Sequence, residues 1–140
     1  MLSTNPYLHF TGNAEAAMNF YKSVFGGEFT IFQRYKEVPG GEKLPSDDQE
    51  KIIHISLVGK GITIMASDSV KPMGYDITVG NNFQICIQAE TEAEVDKIFE
   101  ALALDGQAEM PPNKTFWGAY FCMCKDKFGI SWMINYDLKQ

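Results

Sequence analysis

Cysteine, basic charge and long apolar runs are all scarce in this chain, and each scarcity removes a class of function. The three cysteines, Cys86, Cys122 and Cys124, are odd in number, lie inside apolar runs and form no CxxC pair. Neither a disulfide framework nor a cysteine-knuckle metal site is therefore expected, and reduced core side chains are the plain reading. No apolar run approaches the ~20 residues that a membrane helix needs, so no membrane partner is expected. Met1 to Pro6 lack a charged segment followed by an apolar one, so the expected compartment is the cytoplasm. Basic residues number 12 against 18 acidic ones, for a formal charge of −6. Nucleic acid is not expected as a partner, because phosphate binding needs clustered Lys and Arg. What remains is ordinary: 140 residues, 45% of them hydrophobic, suffice for one domain with its own core.

The periodicity runs through one pattern twice. Pro6 to Phe10 reads as a strand, and Asn13 as the cap of a helix from Ala14 to about Phe25. Ala17, Phe20, Tyr21 and Val24 form its apolar stripe, and Gly26-Gly27 stops it. Phe29 to Tyr35 alternates as a strand. Lys36 to Glu50 is a polar loop, long for a compact domain, and such loops often serve as lids. Ile52 to Val58 and Ile62 to Ala66 make a hairpin around Gly59-Lys60-Gly61. After a linker, residues 67–81, Phe83 to Gln88 reads as a strand. Thr91 caps a helix from Glu92 to about Leu104, with Glu94 completing a capping box. Strands Gln107 to Met110, Trp117 to Cys124 and Ile130 to Tyr136 follow, with a loop over 111–114.

Strand, helix, strand, strand, strand is thus given twice, over about 5–66 and 82–137. Neither half can hide both its helix stripe and its sheet face alone. The fold class expected is α+β: two βαβββ modules forming cupped mixed sheets, helices on the outer faces and a cleft between the sheets.

Three ordered stretches carry a resemblance. They are Pro6-Tyr7-Leu8-x-Phe10-x-Gly12-Asn13 with Phe20-Tyr21-x-x-Val24-Phe25-Gly26-Gly27; Ile53-His54-x-x-Leu57 with Met65-x-Ser67-Asp68; and Thr115-Phe116-Trp117-Gly118 with Asp126-x-Phe128-Gly129-x-x-Trp132. Together they resemble the PhnB-like branch of the vicinal oxygen chelate (glyoxalase/bleomycin-resistance/dioxygenase) superfamily. The resemblance implies paired βαβββ modules, a homodimer and a small-molecule cavity in the cupped sheet. Relatives include metal-dependent isomerases, lyases and dioxygenases as well as metal-free proteins that sequester antibiotics, so the fold does not name the chemistry.

Metal-using relatives place His, Gln or Glu at four strand positions. By the resemblance these fall on Asn5 or Pro6, on His54, on Asn82 (or Phe83), and on Met133. His54 alone is a good ligand, and stable sites use three or four donors. No metal and no other cofactor is therefore expected. A set built from His54, His9 and a cysteine is conceivable, but small core side chains are the simpler reading of Cys122 and Cys124. No activating base can be assigned to either thiol.

The candidate ligand-binding residues are then Tyr7, His9, His54, Met65, Asn82, Gln84, Trp117 and Met133. Alternation puts His54 and Ser56 on one strand face, beside Thr63 and Met65 of the hairpin partner. Gln84 and Cys86 lie opposite Ile85 and Ile87, and Met133 opposite Trp132. An apolar pocket with a few polar handles suits a drug-sized ligand. The rivals are a lyase, isomerase or resistance enzyme whose metal is built around His54, and a structural or regulatory dimer with a filled cleft. Methyltransferase labels occur in this branch, but no glycine-rich strand-to-helix loop of nucleotide-binding type supports one here.

Overall fold

The computed structural model describes residues 1–74 and 76–138, and the chain divides into two compact units, Met1–Thr78 and Val79–Gln140. The first holds β1 (Tyr7–Phe10), α1 (Ala14–Phe25), β2 (Glu28–Arg34), α2 (Ser46–Gln49), β3 (Ile52–Gly59) and β4 (Ile62–Asp68). The second holds β5 (Ile85–Gln88), α3 (Glu92–Ala103), β6 (Gln107–Lys114), β7 (Ala119–Lys125) and β8 (Ser131–Asp137). Each unit is an open four-stranded mixed sheet, ordered β1-β4-β3-β2 in one and β5-β8-β7-β6 in the other. In both, the first strand joins the last in parallel and all other pairs are antiparallel. The α+β class and the doubled βαβββ order expected from the sequence are present.

In the first unit α1 packs on β3 and β4. Leu8, Phe10, Ile55, Leu57, Ile64 and Ala66 are buried beneath it, with Ala14, Ala17, Met18 and Tyr21 from the helix. Full burial of a Leu- or Ile-sized side chain contributes about 1.5–3 kcal/mol, so this two-layer core dominates the unit's stability. In the second unit α3 packs on β6, β7 and β8, burying Val95 and Leu102 against Cys122, Cys124, Trp132 and Ile134. Among the described residues, neither α1 nor α3 lies on the opposite face of its sheet.

Several local expectations are corrected. Asn13 makes no side-chain cap. The start of α1 is held instead by Asp68, buried at the end of β4. One carboxylate oxygen accepts from the Gly12 and Ala14 amides, each at 2.9 Å, and the other from Ile52 N at 2.9 Å. Ser67 and Asp68 thus belong to β4. Thr91 does cap α3, accepting from Glu94 N at 3.0 Å, but the Glu94 side chain returns to Glu90 N rather than to the amide of Thr91.

The stretch expected as a lid is folded onto its own unit. It contains short 3₁₀ turns at Tyr35–Glu37 and Gly41–Lys43 as well as α2. Tyr35 is buried and its hydroxyl donates to the Asp68 carbonyl at 2.7 Å. Arg34 forks onto Glu15 at 2.9 and 3.0 Å, Lys36 pairs with Glu50 at 2.7 Å, and Lys51 with Asp48 at 2.9 Å. The Arg34 hydrogen bond holds the Glu15 carboxyl below its ordinary range. Gly41 lies against the backbone of Tyr35 and Lys36, where any side chain would collide.

Strand β6 runs on through Pro111 and Pro112, beyond the end expected at Met110. It is the edge of its sheet, where a residue without an N–H is tolerated, and the register shifts there. Strand β5 starts at Ile85, not Phe83, so Asn82 and Gln84 precede it. Strand β7 starts at Ala119, so Trp117 stands in the β6–β7 turn.

Candidate functional site

The helix-free face of the first sheet gathers four of the expected ligand residues. On β1, Leu8 and Phe10 turn to the core while Tyr7 and His9 are exposed. Strand pairing sets Tyr7 opposite Met65 and His9 opposite Ser67. Met65 in turn is opposite Ser56 on β3, which places His54 one step along the same face. Gln33 of β2 lies opposite His54. Thr63, expected next to His54, is opposite Val58 and therefore further along.

The tyrosine and the two imidazoles form one cluster. Tyr7 Oη lies 2.9 Å from His54 Nδ1, and the two rings stack at 5.5 Å with 19° between planes. The His9 ring is 5.1 Å from that of Tyr7. The Tyr7 bond settles which imidazole nitrogen of His54 is engaged, and leaves Nε2 for another partner. With Nδ1 accepting from the phenol, Nε2 carries the proton and donates. With Nδ1 donating, Nε2 is an acceptor. The site can thus present either a donor or an acceptor beside a phenol and a thioether.

The other expected residues lie in the second unit. Met133 is on β8, facing away from Trp132 and half-buried. Gln84 is half-buried and Asn82 exposed, both ahead of β5. Trp117 is 58% exposed, with its ring edge-on to Phe116 at 5.0 Å and to Phe121 at 5.8 Å. The aromatic pair at the tip of this turn belongs to no core. Cys122 and Cys124 are fully buried on the α3 side of their sheet, where burial pushes their thiols up to about 11 and about 12. Thiols so raised are protonated at neutral pH and poor nucleophiles, and they join no histidine.

A divalent metal of the superfamily's usual kind does not fit. Among the described residues no group of three or more His, Cys, Asp or Glu is placed to hold one. The four positions implied by the resemblance supply one imidazole, amides and a thioether, with no carboxylate to offset a double charge. A depression of about 280 Å³ elsewhere in the first unit is lined by Glu15, Arg34, Glu50, Lys51 and Asp68. Arg34 is paired with Glu15, Lys51 with Asp48, and Asp68 is held by backbone amides, with Asp47 also on the rim. It is a structural joint, not a ligand cavity.

Comparison with known proteins bears on the family and the fold. Residues 3–135 match the family described as 3-demethylubiquinone-9 3-methyltransferase. The protein PA1353 from Pseudomonas aeruginosa is 34% identical, with a TM-score of 0.86 over 99% of this chain and 100% of that one. The PhnB protein from Bacillus cereus is 31% identical, with a TM-score of 0.78 over 96% of this chain and 99% of that one. A glyoxalase-related enzyme from Fulvimarina pelagi shares the fold, at 18% identity and a TM-score of 0.66 over 97% of this chain and 89% of that one.

The family's description names a methyl transfer, which implies an adenosine-bearing cofactor. The residues do not fit the glycine-rich turn that holds adenosine cofactors in doubly wound folds. After β1, the turn amides that would face such a ligand are already bound by Asp68. After β5, the Thr91 side chain occupies the helix start. Family membership therefore rests on the shared chain and fold, not on a methyl-transfer site. The chain belongs to this 3-demethylubiquinone-9 3-methyltransferase family, the PhnB-like branch of the vicinal oxygen chelate superfamily.

Proposed function

We propose that this protein binds a small molecule, and that the helix-free face of the first sheet is where it does so. The observation that supports this reading is the Tyr7 Oη–His54 Nδ1 contact at 2.9 Å on an exposed face. A phenol and an imidazole holding each other in place are poised to orient one polar group of a ligand. Met65 and the Tyr7 ring offer it apolar surface. His9 completes the polar edge. The second unit carries candidate contacts of its own, Gln84, Met133, Trp117 and Asn82. The protein works without the divalent metal of its metal-using relatives, as a cytoplasmic homodimer. Light scattering at about twice 15.7 kDa checks the dimer.

A thermal-shift screen of small organic acids, phenols and aromatic drugs tests the binding. A ligand at 100 times its Kd adds about 2.7 kcal/mol of stability. The shift should disappear in His54→Ala and weaken in Tyr7→Phe. Equal shifts in the wild type and His54→Ala, or none in the wild type, would refute the assignment.

A further inference from the structure

The helix-free face of the second sheet carries a different chemistry. Register aligns one residue from each strand in a single row: Met110 of β6 is opposite Met123 of β7, Met123 is opposite Met133 of β8, and Met133 is opposite Cys86 of β5. Directly paired residues project to the same face of a sheet. Three of the chain's seven methionines and one of its three cysteines therefore stand side by side on adjacent strands. The strands are about 4.8 Å apart, a spacing within the span of a flexible thioether. Met110 and Cys86 are exposed, and Met123 and Met133 are half-buried.

The rows on either side contain no sulfur. On one side are Gln88, Asn135, Phe121 and Asn113, where Asn135 donates to Gln88 at 3.0 Å and Asn113 to backbone carbonyls. On the other are Ser131, Lys125 and Gln107. The amides of Gln88, Asn135 and Asn113 are occupied with each other and with the backbone, and no carboxylate stands in the sulfur row. A row of neutral, polarisable sulfurs has nothing to hold a hard divalent ion. Thioether and thiolate donors select soft d¹⁰ cations.

We propose that Cys86, Met133 and Met123, with Met110 alongside, form a binding site for a soft monovalent cation such as Cu(I) or Ag(I). On binding, a sulfur–metal bond forms at Cys86 and the thiol proton leaves to solvent, while the methionine sulfurs add lone pairs without losing any group. Desolvation raises the Cys86 pKa even though the residue is exposed, so uptake should release a proton and strengthen as pH rises. The site lies on the other sheet from Tyr7 and His54 and shares only Met133 with the candidate small-molecule contacts, so a His54→Ala arm separates the two readings.

The test is anaerobic titration of the full chain with Cu(I) against bicinchoninate, repeated with Ag(I), which needs no reductant. The wild type should withdraw one equivalent and develop an ultraviolet thiolate-to-metal band. Met123→Leu/Met133→Leu removes two sulfurs with little change of volume, and should lose competitive binding. Cys86→Ser should lose the band. His54→Ala should bind as the wild type does. Failure of the wild type to compete, unchanged binding by the double leucine variant, or loss of binding in His54→Ala would overturn the proposal.

Discussion

The two units share strand order and helix placement, yet each anchors its frame and furnishes its helix-free sheet face differently. In Met1–Thr78 the buried Asp68 draws together the β1–α1 turn, the first residue of α1 and the first of β3. In Val79–Gln140 the buried Asp126 works within one turn, accepting from Phe128 N and Ile130 N through one oxygen and from Trp132 Nε1 through the other. The start of α3 is left to Thr91. One carboxylate therefore joins three elements in the first unit, while in the second a carboxylate and a hydroxyl share the task locally. The helix-free faces diverge as well, Tyr7, His9 and His54 on one and a row of sulfurs on the other. The same backbone plan carries both because the core needs only the other face of each sheet.

Substitutions can sharpen or break that contrast. Asp68→Ala leaves three amides on three elements without an acceptor, and should cost about 4 kcal/mol by urea unfolding. Asp126→Ala should cost about 3 kcal/mol, with a change in the emission of Trp132 that Asp68→Ala does not produce. If Asp126 proves the costlier, the idea that Asp68 is the wider joint is wrong. Thr91→Ala should cost about 1 kcal/mol, whereas Asn13→Ala should cost at most a few tenths, since Asp68 already holds that helix start. Equal costs for the two caps would show that Asp68 does not replace Asn13.

A further effect, comparable with the loss of the Thr91 cap, is pH-dependent. Tyr120 donates to Asp96 of α3 at 2.7 Å, and this hydrogen bond pushes the phenol up from 10.0 to about 12. A raised folded-state value means the contribution is complete below pH 10 and lost as pH rises toward 12. Tyr120→Phe should cost about 1 kcal/mol at neutral pH, and that difference should fade in alkaline unfolding titrations. A difference that persisted there would show that packing, not the hydrogen bond, is what Tyr120 supplies.

Local signals were legible in the sequence and long-range ones were not. Ala14–Phe25 and the Thr91 cap follow from spacing within one turn or a few, and both stand where the pattern puts them. The role of Asp68 depends on residues 54 and 16 positions away, so local capping preference favours Asn13 instead. The helical turns over 35–49 depend on Arg34, Lys36 and Lys51 meeting acidic partners, several of them distant in sequence. Polar composition alone reads as a loop. Pro111-Pro112 ends a strand by propensity, and only the edge position allows β6 to continue. Tyr7 and His54 could both be chosen from the strand pattern and the family resemblance, but their bond spans 47 residues and needs the β1-β4-β3 register. The sulfur row needs register across four strands, and alternation beforehand placed only Cys86 and Met133 away from the helix, without pairing them.

The most direct test of the account is side-chain NMR of Tyr7, His9 and His54 during titration with hits from the small-molecule screen. A bound ligand should shift the His54 ring resonances first and those of Tyr7 with them, and Tyr7→Phe should alter the His54 nitrogen shifts even without ligand. Tight binding with all three side chains unmoved would contradict the assignment of this face as the binding site.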